Sequence, residues 1–377
     1  MKKVLLGTTA LLGAGLVASP AFAADGIKLS VGGFFKEAYM MNFDDDSEGE
    51  AGNERNTDGF FNDAEIHFKG STVLDNGLEV GARVELEGET DGDQIDEAWV
   101  SFAGGFGEIH IGSEDDALAN NCIVPPGGTG NFSAYSPNQW GANTLTSNVV
   151  CAGVDNPGDS QKILYVTPSF AGFQVAVSYT PNEDETHGDG VGPHLGMPGN
   201  ADGEARHNFS LYATYSYEGD GWGLTWGGGG SWEGHVEQTT GPDREESDFY
   251  QTGLNLTFGN FSVGGVFEYF NDGNSIEGVQ DSEAWTAGAG IAYSFDPFTV
   301  GFQYGHTEGD LEVDGADDSD LNIDRFVLTG NYALGPGIAL DAELAYTTQD
   351  VSGPAFDPDV NDNYDAFEIG IGTNITF

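Results

Sequence analysis

Basic side chains are scarce in this chain: 11 Lys and Arg stand against 62 Asp and Glu, for a formal net charge of −51. A surface that acidic repels a polyphosphate backbone, which excludes nucleic acid as a partner. Cysteine is nearly absent, with Cys122 and Cys151 alone. Beyond the first two dozen residues no stretch is apolar enough to cross a bilayer as a helix, so any spanning must be done by strands. No Pro/Ser-rich linker divides the chain, which reads as one continuous architecture. Catalytic signatures are missing too: there is no Gly-x-Ser-x-Gly elbow, no His-Glu-x-x-His and no phosphate loop, and the seven histidines are scattered. Enzymatic activity is therefore not expected.

Acidity with few apolar residues can signal disorder, but 25 Phe, 14 Tyr and 6 Trp are too many for an unfolded chain. The start carries Lys2 and Lys3, an apolar run from Val4 to Val17, then Pro20 and Ala21-Phe22-Ala23. That order reads as a secretory leader cut after Ala23, because the run is shorter than the ~20 residues a spanning anchor needs. Removing residues 1–23 leaves 377 − 23 = 354 residues with 11 − 2 = 9 bases, and a formal charge of 9 − 62 = −53. Export to an oxidising compartment makes a Cys122–Cys151 disulfide the expected state; two reduced, buried thiols are the alternative that spacing leaves open.

From Leu78 to Leu86 the positions Leu78, Val80, Ala82, Val84 and Leu86 alternate with Glu79, Gly81, Arg83 and Glu85. Period two puts the two sets on opposite faces of a strand. The pattern recurs in Phe261–Tyr269, Phe298–Tyr304 and Ile338–Tyr346. Short separators fall at 75–77, 104–107, 168–172, 219–221, 259–260, 296–297 and 334–337. Long Asp-, Glu-, Gly- and Asn-rich connections fall between them at 43–58, 88–93, 113–160, 181–205, 236–247, 271–282, 306–320 and 348–362. Seven short turns and eight long loops alternate strictly, and fifteen connections join sixteen strands. The pattern predicts an all-β chain: a 16-stranded antiparallel transmembrane β-barrel over 24–377, with short turns on one side and long loops on the other. Closure leaves no strand edge unpaired, as a bilayer requires.

Aromatics gather beside the short turns: Phe170, Phe173, Trp222, Phe258, Phe261, Phe295, Phe298 and Tyr332. Repetition at strand ends favours an interfacial girdle over core packing. The last strand places Phe367, Ile369, Ile371, Thr373, Ile375 and Phe377 on one face and Glu368, Gly370, Gly372, Asn374 and Thr376 on the other. It stops on an aromatic residue. With that tail, Asp96–Phe102 followed by Phe106–Gly112, Tyr165–Phe173 and Asp63–Leu86, the chain resembles the Gram-negative general diffusion porins across essentially its whole mature length.

The resemblance implies an outer-membrane channel for passive diffusion of small hydrophilic solutes and ions, assembled as a homotrimer. It implies partners in outer-membrane lipid, lipopolysaccharide and the barrel-insertion machinery, which reads the terminal Phe377. It implies that the loop over 113–160 folds into the barrel and narrows the pore. There, loop carboxylates Glu114, Asp115 and Asp116 would face wall bases Arg83, Lys36, Lys69 and Arg325. The basic side is thin compared with the family pattern, so cation preference is expected. A bridge from Cys122 to Cys151 closes 29 residues of this loop, worth roughly 3.5 kcal/mol in the chain-entropy model. Typical members of the family lack it.

No cofactor and no metal-ligating set is expected. Ca2+ at the acidic runs Asp44–Asp46, Glu183–Glu185, Asp314–Asp320 and Asp357–Asp362 is a secondary reading, since none has the spacing of a defined calcium loop and solvated acidic faces explain them more plainly. A substrate-selective channel is the alternative within the barrel class. A secreted calcium-binding adhesin is the alternative outside it, and that reading requires a fixed Gly-Asp repeat that is not visible.

Overall fold

Alternating apolar and polar residues pair into strands because each strand can then turn one face to lipid and the other inward. The computed structural model describes residues 26–44, 57–88, 94–135, 151, 158–182, 206–234, 242–272, 275–313, 317–353 and 364–377. The leader at 1–23 lies outside the described residues, as do Asp45, Asp46, Glu183–Glu185, Asp314 and Asp357–Asp362 of the acidic runs.

Among the described residues sixteen strands follow in chain order: β1 (Lys28–Asp44), β2 (Asp58–Val73), β3 (Glu79–Glu87), β4 (Ile95–Gly104), β5 (Gly107–Ser113), β6 (Gln161–Val166), β7 (Phe173–Asn182) and β8 (Arg206–Gly219). The second half comprises β9 (Trp222–Gly234), β10 (Ser247–Phe258), β11 (Phe261–Asn271), β12 (Gln280–Phe295), β13 (Phe298–Val313), β14 (Ser319–Gly335), β15 (Ile338–Ser352) and β16 (Tyr364–Thr376). Each strand pairs antiparallel with its neighbours in sequence, and β16 returns to β1 to close the barrel. The closing register runs from Phe34 opposite Thr376 to Asp44 opposite Ala366. Beyond it the Gly33 amide donates to the Phe377 carbonyl at 3.0 Å and the Phe377 amide to the Gly33 carbonyl at 3.1 Å. The terminal residue therefore completes the ladder.

The two faces invert the arrangement of a soluble protein. Outward positions carry exposed apolar side chains, among them Phe267, Ile291, Val300, Phe302, Leu328, Leu344 and Ile371. Inward positions bury polar ones: Ser178, Ser210, Gln251, Thr286, Gln303, Thr329, Thr347 and Glu368. At the short-turn ends of β10 to β14 the outward aromatics form a continuous ladder, Phe258–Phe261–Tyr293–Phe295–Phe298–Tyr332, with successive ring centroids 4.6–5.8 Å apart. Such rings sit well at the boundary between headgroups and hydrocarbon.

The seven short turns lie where their Gly, Asn and Asp residues put them. Gly221 at φ 85° and Gly259 at φ 59° supply the left-handed backbone that two-residue hairpin turns need. One expected long loop is much shorter. β13 runs to Val313 and β14 begins at Ser319, so the connection expected over 306–320 contracts to 314–318. The outward carboxylates of that stretch, including Asp310 opposite Asp320, are still paired in the β13–β14 ladder. Backbone pairing continues above the apolar belt, where charged side chains meet water at no cost, so acidity there does not mark a loop.

If the terminal residue completes the hydrogen-bonded ring through its backbone, a chain ending at Thr376 should lower the fraction of closed barrel in the envelope more than Phe377→Ser, which keeps those bonds. The readout is gel mobility of detergent extracts: the unboiled, compact band should weaken relative to the boiled one. An unchanged band ratio would show that closure does not depend on Phe377.

Candidate functional site

The chain leaves β5 at Ser113 and does not cross over the rim to β6. Residues 114–135 run along the inner wall, and inward side chains of distant strands receive the loop's backbone. Ser178 Oγ accepts from the Ala117 amide at 3.0 Å. Further along, Gln251 donates to the Ile123 carbonyl at 2.8 Å, Asn255 to Val124 at 2.9 Å, Gln303 to Pro125 at 2.9 Å and Thr329 to Gly127 at 2.5 Å. Leu118 packs with Tyr212, Phe249 and Phe270. Phe132 packs with Ala38 and Met40 on the far side of the closure seam.

The loop lies this close because glycines between those polar side chains leave the backbone bare at its contact points. A Cβ placed on Gly253 would come within 2.6 Å of Ile123 and one on Gly370 within 2.5 Å of Phe132. On Gly290 it would overlap the Pro126 carbonyl, and on Gly301 the backbone of Gly127. Inward glycines of β10, β12, β13 and β16 thus form a trough that the loop fills. Cys122 and Cys151 are joined in a disulfide, with Cα atoms 5.7 Å apart, and the Cys151 amide donates to Glu268 at 2.8 Å.

At the neck of the loop the chain is stapled by Lys162 on β6. Its ammonium donates to the carbonyls of Glu114, Gly158 and Ser160, so one side chain ties the loop's departure to its return. Sequence reading did not single this lysine out; a lone base beginning a strand in so acidic a chain is the only signal it offered.

The three expected eyelet acids divide at this neck. Glu114 is buried and its carboxylate meets His110 Nδ1 at 2.8 Å, which turns it to the wall. Asp116 is buried as well, accepting from the Leu118 and Ala119 amides at 2.9 and 2.8 Å and from the Ser210 hydroxyl. These two fix the loop, because a carboxylate next to open amides satisfies them before it faces water. Asp115 stays partly exposed, its amide donating to Glu97 at 3.2 Å. Burial first, then the charges of Glu97 and Asp116, push the Asp115 carboxyl up to about 6. Asp159, at the loop's return, is pushed up to about 7 by burial and by Asp96, Asp115 and Glu97. The sequence missed Asp159 because it lies 44 positions from Asp115.

The expected basic wall is present, but most of it is neutralised. Lys36 faces inward and meets Asp63 at 2.7 Å. Arg83 binds Glu85 on its own strand, and its guanidinium stands 5.9 Å from the Trp99 ring. Lys69 stands directly across from Arg83 in the β2–β3 register. Arg325 departs furthest from expectation: it is wholly buried, donating to Glu368 at 2.5 Å and Thr347 at 2.7 Å, so it crosslinks β14, β15 and β16 and does not line the lumen. A guanidinium on an inward face finds the nearest inward carboxylate two strands away, and period-two reading cannot see that partner.

A closed 16-stranded barrel with a long loop laid against its inner wall is the setting for the comparisons with known proteins. The sequence profile of the Gram-negative porins matches residues 7–352. The chain belongs to the Gram-negative porin family. A "monosaccharide porin" of Halomonas sp is 26% identical over 92% of this chain and 95% of its own, and the "major outer membrane protein" of Halomonas elongata matches to the same extent. Among solved structures, an "anion-selective porin from Comamonas acidovorans" superposes with a TM-score of 0.60 at 17% identity, covering 93% of this chain and all of that one. An outer membrane protein of Vibrio cholerae reaches a TM-score of 0.61 at 13% identity, covering 97% and 100%. At those identities the structural likeness concerns the fold. The protein is an outer-membrane porin.

Because the porin's loop is seated on bare backbone, Gly301→Val should displace it, with an overpacking cost of about 1–3 kcal/mol. Single-channel conductance should shift while the barrel still forms. Gly330→Val on the same sheet, where an added side chain meets open space, should leave conductance unchanged. Equal conductance in both variants would show that the trough does not set the loop's position.

Proposed function

We propose that this porin passes small hydrophilic solutes through a lumen narrowed by the loop over 113–160, and that it prefers cations. One observation carries the charge preference. The wall bases Lys36 and Arg83 and the buried Arg325 are each matched by a carboxylate, Asp63, Glu85 and Glu368. Meanwhile Glu114, Asp115, Asp116 and Asp159 gather around the single ammonium of Lys162, and Asp96 and Glu97 add their charge beside Asp115 and Asp159. Unbalanced negative charge along a narrow, low-dielectric path raises the local cation concentration and repels anions. In the same reading the leader is removed near Ala23, three barrels associate, the insertion machinery engages the strand ending in Phe377, and divalent ions such as Ca2+ bridge the acidic outer loops to lipopolysaccharide.

A second reading is passage of an uncharged sugar, favoured by the Halomonas relative described as a monosaccharide porin. It is compatible with cation preference, because an uncharged solute is indifferent to the field. Liposome swelling separates the readings: a sugar-selective channel should admit a monosaccharide much faster than an amino acid of equal size, and a general channel should not.

The charge preference has a definite pH dependence. Raised pKa values mean that Asp115 and Asp159 are still gaining negative charge where ordinary carboxylates have finished ionising, so cation preference should rise from about pH 5 to about pH 8. The measurement is the reversal potential across a planar bilayer in a salt gradient. The wild type should show the cation-selective sign with a potential that grows with pH, and the double variant Asp115→Asn, Asp159→Asn should flatten that growth. An anion-selective sign would reject the proposal.

A further inference from the structure

On the lumenal face of β2 and β3, three side chains converge on one point. Glu65 and His67 share that face at a spacing of two residues, and Glu85 lies directly across from His67 in the β2–β3 register. The same ring nitrogen, His67 Nε2, stands 2.7 Å from Glu65 Oε2 and 3.1 Å from Glu85 Oε2. We propose that Glu65, His67 and Glu85 bind a divalent transition-metal ion, Zn2+ by the chemistry of the set, in the wall of the pore.

Hydrogen bonding serves this convergence poorly. A ring nitrogen carries one proton in the plane of the ring, so two carboxylates can at best share it in a bent, three-centre bond. A metal ion accepts all three groups together. Zinc bonds of about 2.0–2.2 Å to nitrogen and oxygen place tetrahedral neighbours ~3.3 Å apart, so the observed 2.7 and 3.1 Å need about 0.6 and 0.2 Å of opening. Imidazole with two carboxylates suits zinc or copper, whereas Mg2+ and Ca2+ favour oxygen-only sets.

The surroundings hold the ligands in place. Arg83 forms an ion pair with Glu85 Oε1, which leaves Oε2 toward His67. The Phe34 ring stands edge-on to the imidazole with centroids 6.0 Å apart. Supporting contacts of this kind orient metal ligands. Two carboxylates and one guanidinium give the site a formal charge of −1, which a dication turns to +1. His67 and Glu65 keep 14% and 17% of their side-chain surface, so the site opens on the lumen and three protein ligands leave a position for water. Lys69, across from Arg83, adds positive charge nearby and favours exchange over permanent retention. A bound ion would reverse the sign of this stretch of wall and obstruct cations passing it. Binding itself does not depend on the channel's ion preference.

The purified full-length protein, titrated with Zn2+ by calorimetry, should bind one more ion per chain than His67→Ala, whose acidic outer loops are untouched. In a planar bilayer Zn2+ should lower the wild-type conductance at concentrations about tenfold or more below those needed for His67→Ala, while Mg2+ should affect both alike. Glu65→Gln, which keeps the imidazole and its volume, should weaken Zn2+ binding as well and serves if His67→Ala fails to fold. Equal Zn2+ stoichiometry and affinity in the wild type and Glu65→Gln, or an Mg2+ effect equal to that of Zn2+, would overturn the proposal.

Discussion

Hydrocarbon offers a peptide group nothing to hydrogen-bond with, and the rest of this structure follows from meeting that demand with strands. A sheet meets it only when closed, so the two ends of the chain must find each other. They do so in the β1–β16 ladder and in the reciprocal bonds between Gly33 and Phe377. Closure settles which face of every strand meets lipid, since one face of a ring is wholly outside. It also creates an interior too wide for the wall's own side chains to fill. The loop after β5 occupies part of that interior, and there the same constraint returns. Its irregular backbone lies at membrane depth, and its carbonyls are answered one by one by Gln251, Asn255, Gln303 and Thr329. Irregular backbone at that depth is tolerated because protein receives it.

Charge inside such a wall follows a related rule. A carboxylate or guanidinium pointing inward is partly desolvated and seeks an opposite charge or a fork of donors. With so few bases, the cations are consumed as structural partners: Arg325 crosslinks three strands through Glu368 and Thr347, and Lys162 staples the loop's neck. The acids outnumber them and stay as the net charge along the path. Scarcity of Lys and Arg in the composition therefore appears in the structure as an imbalance within the pore, without any single residue being placed there for selectivity.

That logic also separates what was legible in the sequence from what was not. Strand faces and turns are encoded locally: Leu78–Leu86 shows period two, and Asp75-Asn76-Gly77 can be little else than a turn. Glu114 and Asp116 were legible as loop acids but not in their facing, because a loop has no period and each carboxylate chose its nearest donors, His110, Ser210 and the loop's own amides. The trough was written in full view in Gly253, Gly290, Gly301 and Gly370, yet alternation records such residues only as small. Their meaning depends on a loop that approaches from far away in sequence. Arg325 fails for the same reason, since its partner sits on a strand that is not its sequence neighbour.

The seating of the loop bears on what its disulfide does. Each wall-to-carbonyl bond contributes about 0.5–1.5 kcal/mol net, and four of them, with Leu118 and Phe132 in apolar niches, rival the roughly 3.5 kcal/mol of a 29-residue crosslink. The bridge is therefore not what presses residues 114–135 to the wall. Those contacts are made on the side of Cys122 alone. The bridge acts on the partner end, bringing Cys151 back to within 5.7 Å of Cys122, beside Glu268. Lys162 performs the same service at the neck with three hydrogen bonds. The wall contacts place residues 114–135, while the bridge holds Cys151 beside Cys122 and the staple ties Glu114 to Gly158 and Ser160, so the crosslinks act where the wall contacts do not.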